Sequence, residues 1–153
     1  MNKTDRQFVF SVEQMEYLAE GGMNIYDCAS VSWLIFGSAG KKNYSRHLDF
    51  NSDPDMSLRD EADEVIPAFT LHDVIMKIPA NVLKTSGSTA PSESGTWYNF
   101  FFGKKNESGR TVFYAGYKNG SDMVLKQFFS DDPMDVMFDL LVWIDREFPD
   151  DIH

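Results

Sequence analysis

The segment richest in potential metal ligands is Asp49-Phe50-Asn51-Ser52-Asp53-Pro54-Asp55-Met56-Ser57-Leu58-Arg59-Asp60. Oxygen-bearing side chains stand at its first, third, fifth, seventh, ninth and twelfth places, the spacing of an EF-hand calcium loop. Hard oxygen ligands at alternate positions suit Ca²⁺. Two features contradict the match. The sixth place needs a glycine for a sharp turn and holds Pro54, whose φ is fixed near about −65°. The twelfth holds Asp60, shorter in reach than the usual bidentate Glu, and no strong helix precedes Asp49. An EF-hand is rejected and no metal or other cofactor is expected. Asp49, Asn51, Asp53, Asp55 and Asp60 stay as the candidate ligands of any other cation site, against the plainer reading of an acidic surface loop.

Acid–base or nucleophilic chemistry would have to use His47, His72 or Cys28. His72 and Asp73 are adjacent in the first turn of a predicted helix, so their side chains diverge, and Asp73 already has a capping role. His47, in Arg46-His47-Leu48-Asp49, would have to meet His72 across the fold. Cys28 has no motif around it and reads as a buried, inert thiol. No catalytic residue is assigned on this basis. Ser38-Ala39-Gly40-Lys41-Lys42 has the wrong glycine spacing for a phosphate loop and reads as a hairpin turn. The aromatic run Trp97, Tyr98, Phe100, Phe101 and Phe102 would suit base stacking, but both strand parities are aromatic. That pattern fits a central strand buried on both faces better.

Charge narrows the partners. The chain carries a formal net charge of −10, distributed unevenly. Residues 49–64 hold seven acids and one base, residues 131–151 eight acids and one base, and residues 77–126 seven bases and three acids. Direct nucleic-acid binding is disfavoured, since each phosphate contact wants a Lys or Arg. The plainer reading of the acidic balance is solubility and solvated faces, and the sharper one is an acidic surface that docks on a basic protein partner. With one cysteine there is no intramolecular disulfide. No run reaches the ~18 apolar residues of a membrane span, and no leader precedes the first helix, so a cytoplasmic location without membrane association is expected.

The elements that must position these residues follow from caps, turns and periodicity. At 153 residues, 42% of them hydrophobic, the chain suits a single domain. Ser11 and Gln14 form a capping box for a helix with Val12, Met15, Leu18 and Ala19 on one face, ended by Gly21-Gly22. Cys28 to Phe36 and Tyr44 to Phe50 read as paired strands, and residues 51–66 as a loop. Thr70 and Asp73 open a second helix whose apolar face is Leu71, Val74, Ile75 and Ile78, with Phe69 stapled to Val74 and Pro79 at its end. Lys84 to Gly95 is the expected mobile loop. Thr96–Gly103, Thr111–Lys118 and Asp122–Phe129 form a three-stranded meander, in which Asn119-Gly120 predicts a two-residue turn with positive φ at both places. Asp132-Pro133 opens a last helix lined by Met134, Met137, Phe138, Leu141 and Ile144, widened by Leu140 and Trp143. The order α-β-β-α-β-β-β-α is an α+β fold with an antiparallel sheet.

Ile66-Pro67-Ala68-Phe69-Thr70-Leu71-His72-Asp73-Val74 and the final stretch from Asp132-Pro133 to Trp143-Ile144 resemble the helix entry and closing helix of small acidic proteins carried by phages and mobile elements of gut bacteria. The resemblance implies a helix-plus-antiparallel-sheet fold and a mobile-element origin, and it carries no catalytic residues. Three functional expectations follow. The first is a non-enzymatic interaction module that binds a protein through acidic surface, the second an enzyme built on His47, His72 and carboxylates, and the third a homo-oligomeric structural protein of unstated copy number.

Overall fold

The computed structural model describes residues 8–27, 29–37, 45–50, 60–85 and 95–153. They fall into two compact units, Met1–Ile75 and Met76–His153. Both combine helix with antiparallel sheet, so the fold class is α+β, with C-terminal strands and a closing helix.

In the N-terminal unit, helix α1 (Val12–Glu20) starts where the capping box predicts. The Ser11 hydroxyl accepts from the Gln14 N–H at 3.1 Å and the Gln14 side chain accepts from the Ser11 N–H at 2.9 Å. Val12, Met15 and Leu18 are buried, and Ala19 turns out to solvent. Strands β1 (Val31–Phe36), β2 (Ser45–Phe50) and β3 (Glu64–Ala68) form a sheet in the order β2-β1-β3. The apolar run of β1 is explained by its central place: Val31 to Ile35 are all buried, which needs cover on both faces. The Trp33 indole N–H donates to the Phe10 carbonyl at 2.8 Å, and the Phe10 N–H donates to the Phe69 carbonyl at 2.9 Å. At the surface, Arg46 donates to the Glu13 carboxylate at 2.6 Å, and that bond holds the Glu13 carboxyl below its ordinary range.

Strand β3 corrects the expected loop over residues 51–66. Its sequence, Glu64-Val65-Ile66-Pro67-Ala68, disguises it, because proline cannot donate to a ladder. Pro67 is tolerated here because β3 is an edge. Residues 51–59 lie outside the described residues, as do Cys28 and the expected turn at 38–42. Helix α2 (Leu71–Lys77) has the predicted reciprocal cap, with Thr70 and Asp73 each accepting from the other's N–H at 3.1 and 2.9 Å. Asp73 also accepts from the Ser30 N–H and hydroxyl, which ties the cap to the start of β1. Ile75 was expected on the apolar face but is exposed, whereas Val74 and Ile78 are buried.

The C-terminal unit is a four-stranded sheet, β4 (Asn81–Lys84), β5 (Thr96–Glu107), β6 (Arg110–Lys118) and β7 (Val124–Ser130), in that order. Helix α3 (Pro133–Glu147) packs on β6 and β7. The meander is as expected, while β4 is an addition: four residues after Pro79 leave too short a pattern to read. Lys84, the first residue of the expected loop, ends β4, and residues 86–94 lie outside those described. The tight turn falls between β5 and β6 and not, as expected, at Asn119-Gly120. Glu107 pairs with Arg110 across a two-residue turn in which Ser108 and Gly109 have φ of 54° and 81°. Neither Asn119 nor Gly120 has positive φ. Instead the Asn119 side chain accepts from the N–H groups of Ser121 and Met123, and Asp122 takes the left-handed position at φ 60°. The wider loop is accommodated by a register shift at Tyr117/Lys118.

Asp132 caps α3, accepting from the Met134 N–H at 2.8 Å, with Pro133 next to it. The helix buries Met134, Val136, Met137, Leu140, Leu141 and Ile144, so Val136 joins the predicted stripe while Phe138 and Trp143 are half-buried. Tyr117 is fully buried under this helix and donates to the Pro79 carbonyl at 2.6 Å. Burial, and secondarily Asp151, pushes its phenol well above the usual range.

Candidate functional site

Among the described residues, the candidate chemical groups lie on different elements. His47 lies on β2, its ring edge-on to Phe36 at 5.6 Å between centroids, while His72 is exposed in the first turn of α2. Asp49 sits on β2 opposite Ser32, and Asp60 is exposed. Asn51, Asp53 and Asp55 lie outside the described residues. Among those described, no group of three or more His, Cys, Asp or Glu side chains is placed to hold a metal ion.

What the sheet register does assemble is an aromatic face. Side chains directly opposite one another on paired strands share a face, and faces alternate along each strand. The pairing Phe100–Tyr117, Phe102–Ala115 and Val82–Tyr98 sets one parity of β5 on the side of the buried Tyr117, Ala115 and Val82, beneath α3. The other parity of β5 places Trp97, Asn99, Phe101, Gly103 and Lys105 on the opposite, outer face, joined by Tyr114, Gly116 and Lys118 from β6 and Gln127 and Phe129 from β7. The sequence expectation that both parities are buried is therefore corrected. Trp97 is 56% exposed and Phe129 51% exposed, and Phe101 and Tyr114 are half-exposed.

The outer rings form a ladder across three strands. Phe101 meets Tyr114 at 6.1 Å and Tyr114 meets Phe129 at 6.4 Å between centroids, distances typical of tilted ring pairs. Two glycines lie on the same face. A Cβ on Gly103 would come within 2.5 Å of the Tyr114 hydroxyl oxygen, so the tyrosine ring lies flat across that position. Gly116 pairs with Phe101 and Gln127, and the space a Cβ would take there is filled by the backbone of β7. A lysine stands over each end of the ladder. Lys118 is 5.1 Å from the Phe101 ring centroid and Lys105 is 5.1 Å from that of Phe129. The signal for this face was present in the sequence as aromatics and glycines of one parity with lysines at Lys105 and Lys118. Deciding which parity would be covered required the position of α3.

The opposite charge gathers on the closing helix. Partial burial raises the Asp139 carboxyl above the ordinary 3.8, and Asp135 one turn earlier adds to it. A carboxyl whose folded pKa is raised binds its proton more tightly folded than unfolded. Its ionisation thus removes stability as pH rises above 3.8, and the loss is complete above the folded pKa. Asp139→Asn is expected to raise the stability of the C-terminal unit at neutral pH by about 0.2–0.5 kcal/mol, the usual size of a like-charge pair four residues apart. Melting curves at neutral pH and below 3.8 check this: the gain should be present in the first and absent in the second.

Strand β7 is an edge of its sheet. Met123 and Val124, at its start, are exposed. Lys126 in its middle and the register shift opposite its start are both devices that discourage edge-to-edge pairing. No helix among the described residues is long and apolar enough to cross a membrane.

Compared with protein-family models, curated proteins and solved structures, the chain matches none of them.

Proposed function

We propose that this chain is a non-enzymatic interaction module, an accessory factor of the kind mobile elements carry, and that its C-terminal unit docks a protein partner on the outer aromatic face of the sheet. The observation that carries this reading is the half-open ladder Phe101–Tyr114–Phe129 with Trp97 beside it on β5. Rings on a rigid sheet bind at low entropic cost, because the backbone is fixed and each ring has two torsions to restrict. Exposed aromatic residues ringed by polar ones are the composition of a binding hot spot. Asn99, Gln127, Lys105 and Lys118 supply that rim.

A second reading keeps the acidic surface as the docking element, with Asp135 and Asp139 on α3 meeting a basic partner. The placing of Asp135 and Asp139 one turn apart favours it, since a cationic partner would relieve their repulsion, the lesser of the two causes, after burial, that raise the Asp139 carboxyl. The two readings separate in one experiment. Tagged full-length chain is used to capture partners from host lysate at low and high salt, alongside Trp97→Ser/Phe129→Ser and Asp135→Asn/Asp139→Asn variants. The aromatic reading expects a protein retained by wild type and by the Asn variant and lost by the Ser variant. Loss with the Asn variant alone, together with loss at high salt, transfers the site to the helix.

A further inference from the structure

We infer that the segment docked on this face is an acidic polypeptide stretch, with carboxylates at its two flanks and apolar side chains between them. This rests on the outer face being the docking surface. The argument is charge complementarity at defined positions. The two ends of the ring ladder are each closed by an ammonium group, Lys118 over Phe101 and Lys105 over Phe129, with three rings and the Gly103 and Gly116 positions between them. A ligand spanning the ladder therefore meets positive charge, then apolar surface, then positive charge. The nearby acids do not neutralise this pattern. Glu107 stands 3.7 Å from Lys105 and Asp122 3.4 Å from Lys118, but both carboxylates are well exposed and their pairs weak. An incoming carboxylate can displace either one while the lysine keeps its place over the ring.

The same surface does not suit a nucleic acid. Stacking rings are present, but a nucleic-acid strand also needs a track of cations along its phosphates. Here two lysines close the ladder's ends, and residues 131–151 of the same unit carry eight acids against one base. A short acidic segment presents few charges and meets the lysines locally, whereas a polyanion is repelled by the whole molecule.

The test is a selection of random short peptides displayed on phage against immobilised full-length chain, with Lys105→Glu/Lys118→Glu as the counter-target. Both lysines have partly exposed side chains on the sheet surface, and circular dichroism of the variant confirms that the sheet is kept. The expected result is enrichment of sequences in which Asp or Glu flank aromatic or aliphatic residues. Peptides from that pool should bind the charge-reversed variant at least about tenfold more weakly, the effect of replacing two attractions by two repulsions. Enrichment of basic or uncharged sequences, equal binding to the variant, or no enrichment at all overturns the inference. A single-stranded oligonucleotide that binds wild type more tightly than the selected peptides overturns it too. Failure here with continued loss of lysate capture by Trp97→Ser/Phe129→Ser would leave the docking face standing and reject only its acidic occupant.

Discussion

An alanine at Gly116 is expected to unfold the C-terminal unit or to cost it about 3 kcal/mol or more, the upper range of overpacking. Gly116 is buried in the middle of β6, between Phe101 on one neighbouring strand and Gln127 on the other. A Cβ added there would overlap the Lys126 carbonyl oxygen and lie 2.9 Å from the Gln127 Cα. These are backbone atoms, which cannot rotate aside as a side chain would, so β6 and β7 must move apart. That strand pair carries α3, and α3 covers the core of the unit. Thermal melting of Gly116→Ala checks the result, with Gly120→Ala as control. A Cβ on Gly120 meets nothing within 4 Å and its φ is not positive, so that variant should melt within a degree or two of wild type.

The second large effect belongs to the N-terminal unit. Trp33→Ala should cost about 3–5 kcal/mol, the range for truncating a large buried aromatic side chain. Trp33 is 1% exposed in the central strand β1. Its indole N–H bonds the carbonyl of Phe10, which itself is bridged to Phe69 through backbone and ring contacts. The residue therefore joins the segment before α1 to the strand it crosses. Trp33→Phe separates the two contributions: it retains most of the apolar volume and removes the donor, and should cost about 1–3 kcal/mol for the unsatisfied carbonyl and lost volume together. Denaturant titration of both variants measures this. Equal costs for Phe and Ala would mean that the hydrogen bond, not packing, dominates at Trp33.

How far the sequence foretold the fold depends on whether local chemistry and tertiary position agreed. The three α-helices among the described residues were legible from their caps, because Ser11 with Gln14, Thr70 with Asp73, and Asp132 with Pro133 act within four residues of themselves. The meander was legible from β-prone runs separated by turn residues. Strand β3 was not, since a proline and an acid are acceptable only at an edge, and being an edge is a property of the sheet. Asn119-Gly120 misled for a related reason. Its intrinsic preference is a tight hairpin, yet the Asn119 side chain reached forward to two backbone donors and settled a wider loop, while Ser108-Gly109 took the tight turn. The site was legible as ingredients only. Trp97 and Phe101 share a parity, and so do Gly103 and Lys105. Which parity faces solvent was decided by Ala115 and Tyr117 lying under α3, a pairing set by residues far apart in the chain.

This also explains the shift from acidic segments to an aromatic face as the leading interaction surface. The acids of 131–151 lie on α3 opposite its buried stripe and at its two ends, a placement that solubility alone accounts for. Exposed rings on the sheet have no such explanation, since exposing them to water opposes folding. Their arrangement with two lysines is the observation on which the proposed docking face rests.

Site-specific photo-crosslinking in the native host shows which surface meets the partner. A photoreactive aromatic amino acid is placed at Trp97, at Phe129 and, as the contrasting position, at Asp139, each in the otherwise unaltered chain. Docking on the outer aromatic face should give one shared protein adduct from positions 97 and 129 and none of that mass from position 139. An adduct from position 139 with none from 97 or 129 would contradict it and return the acidic helix as the docking surface.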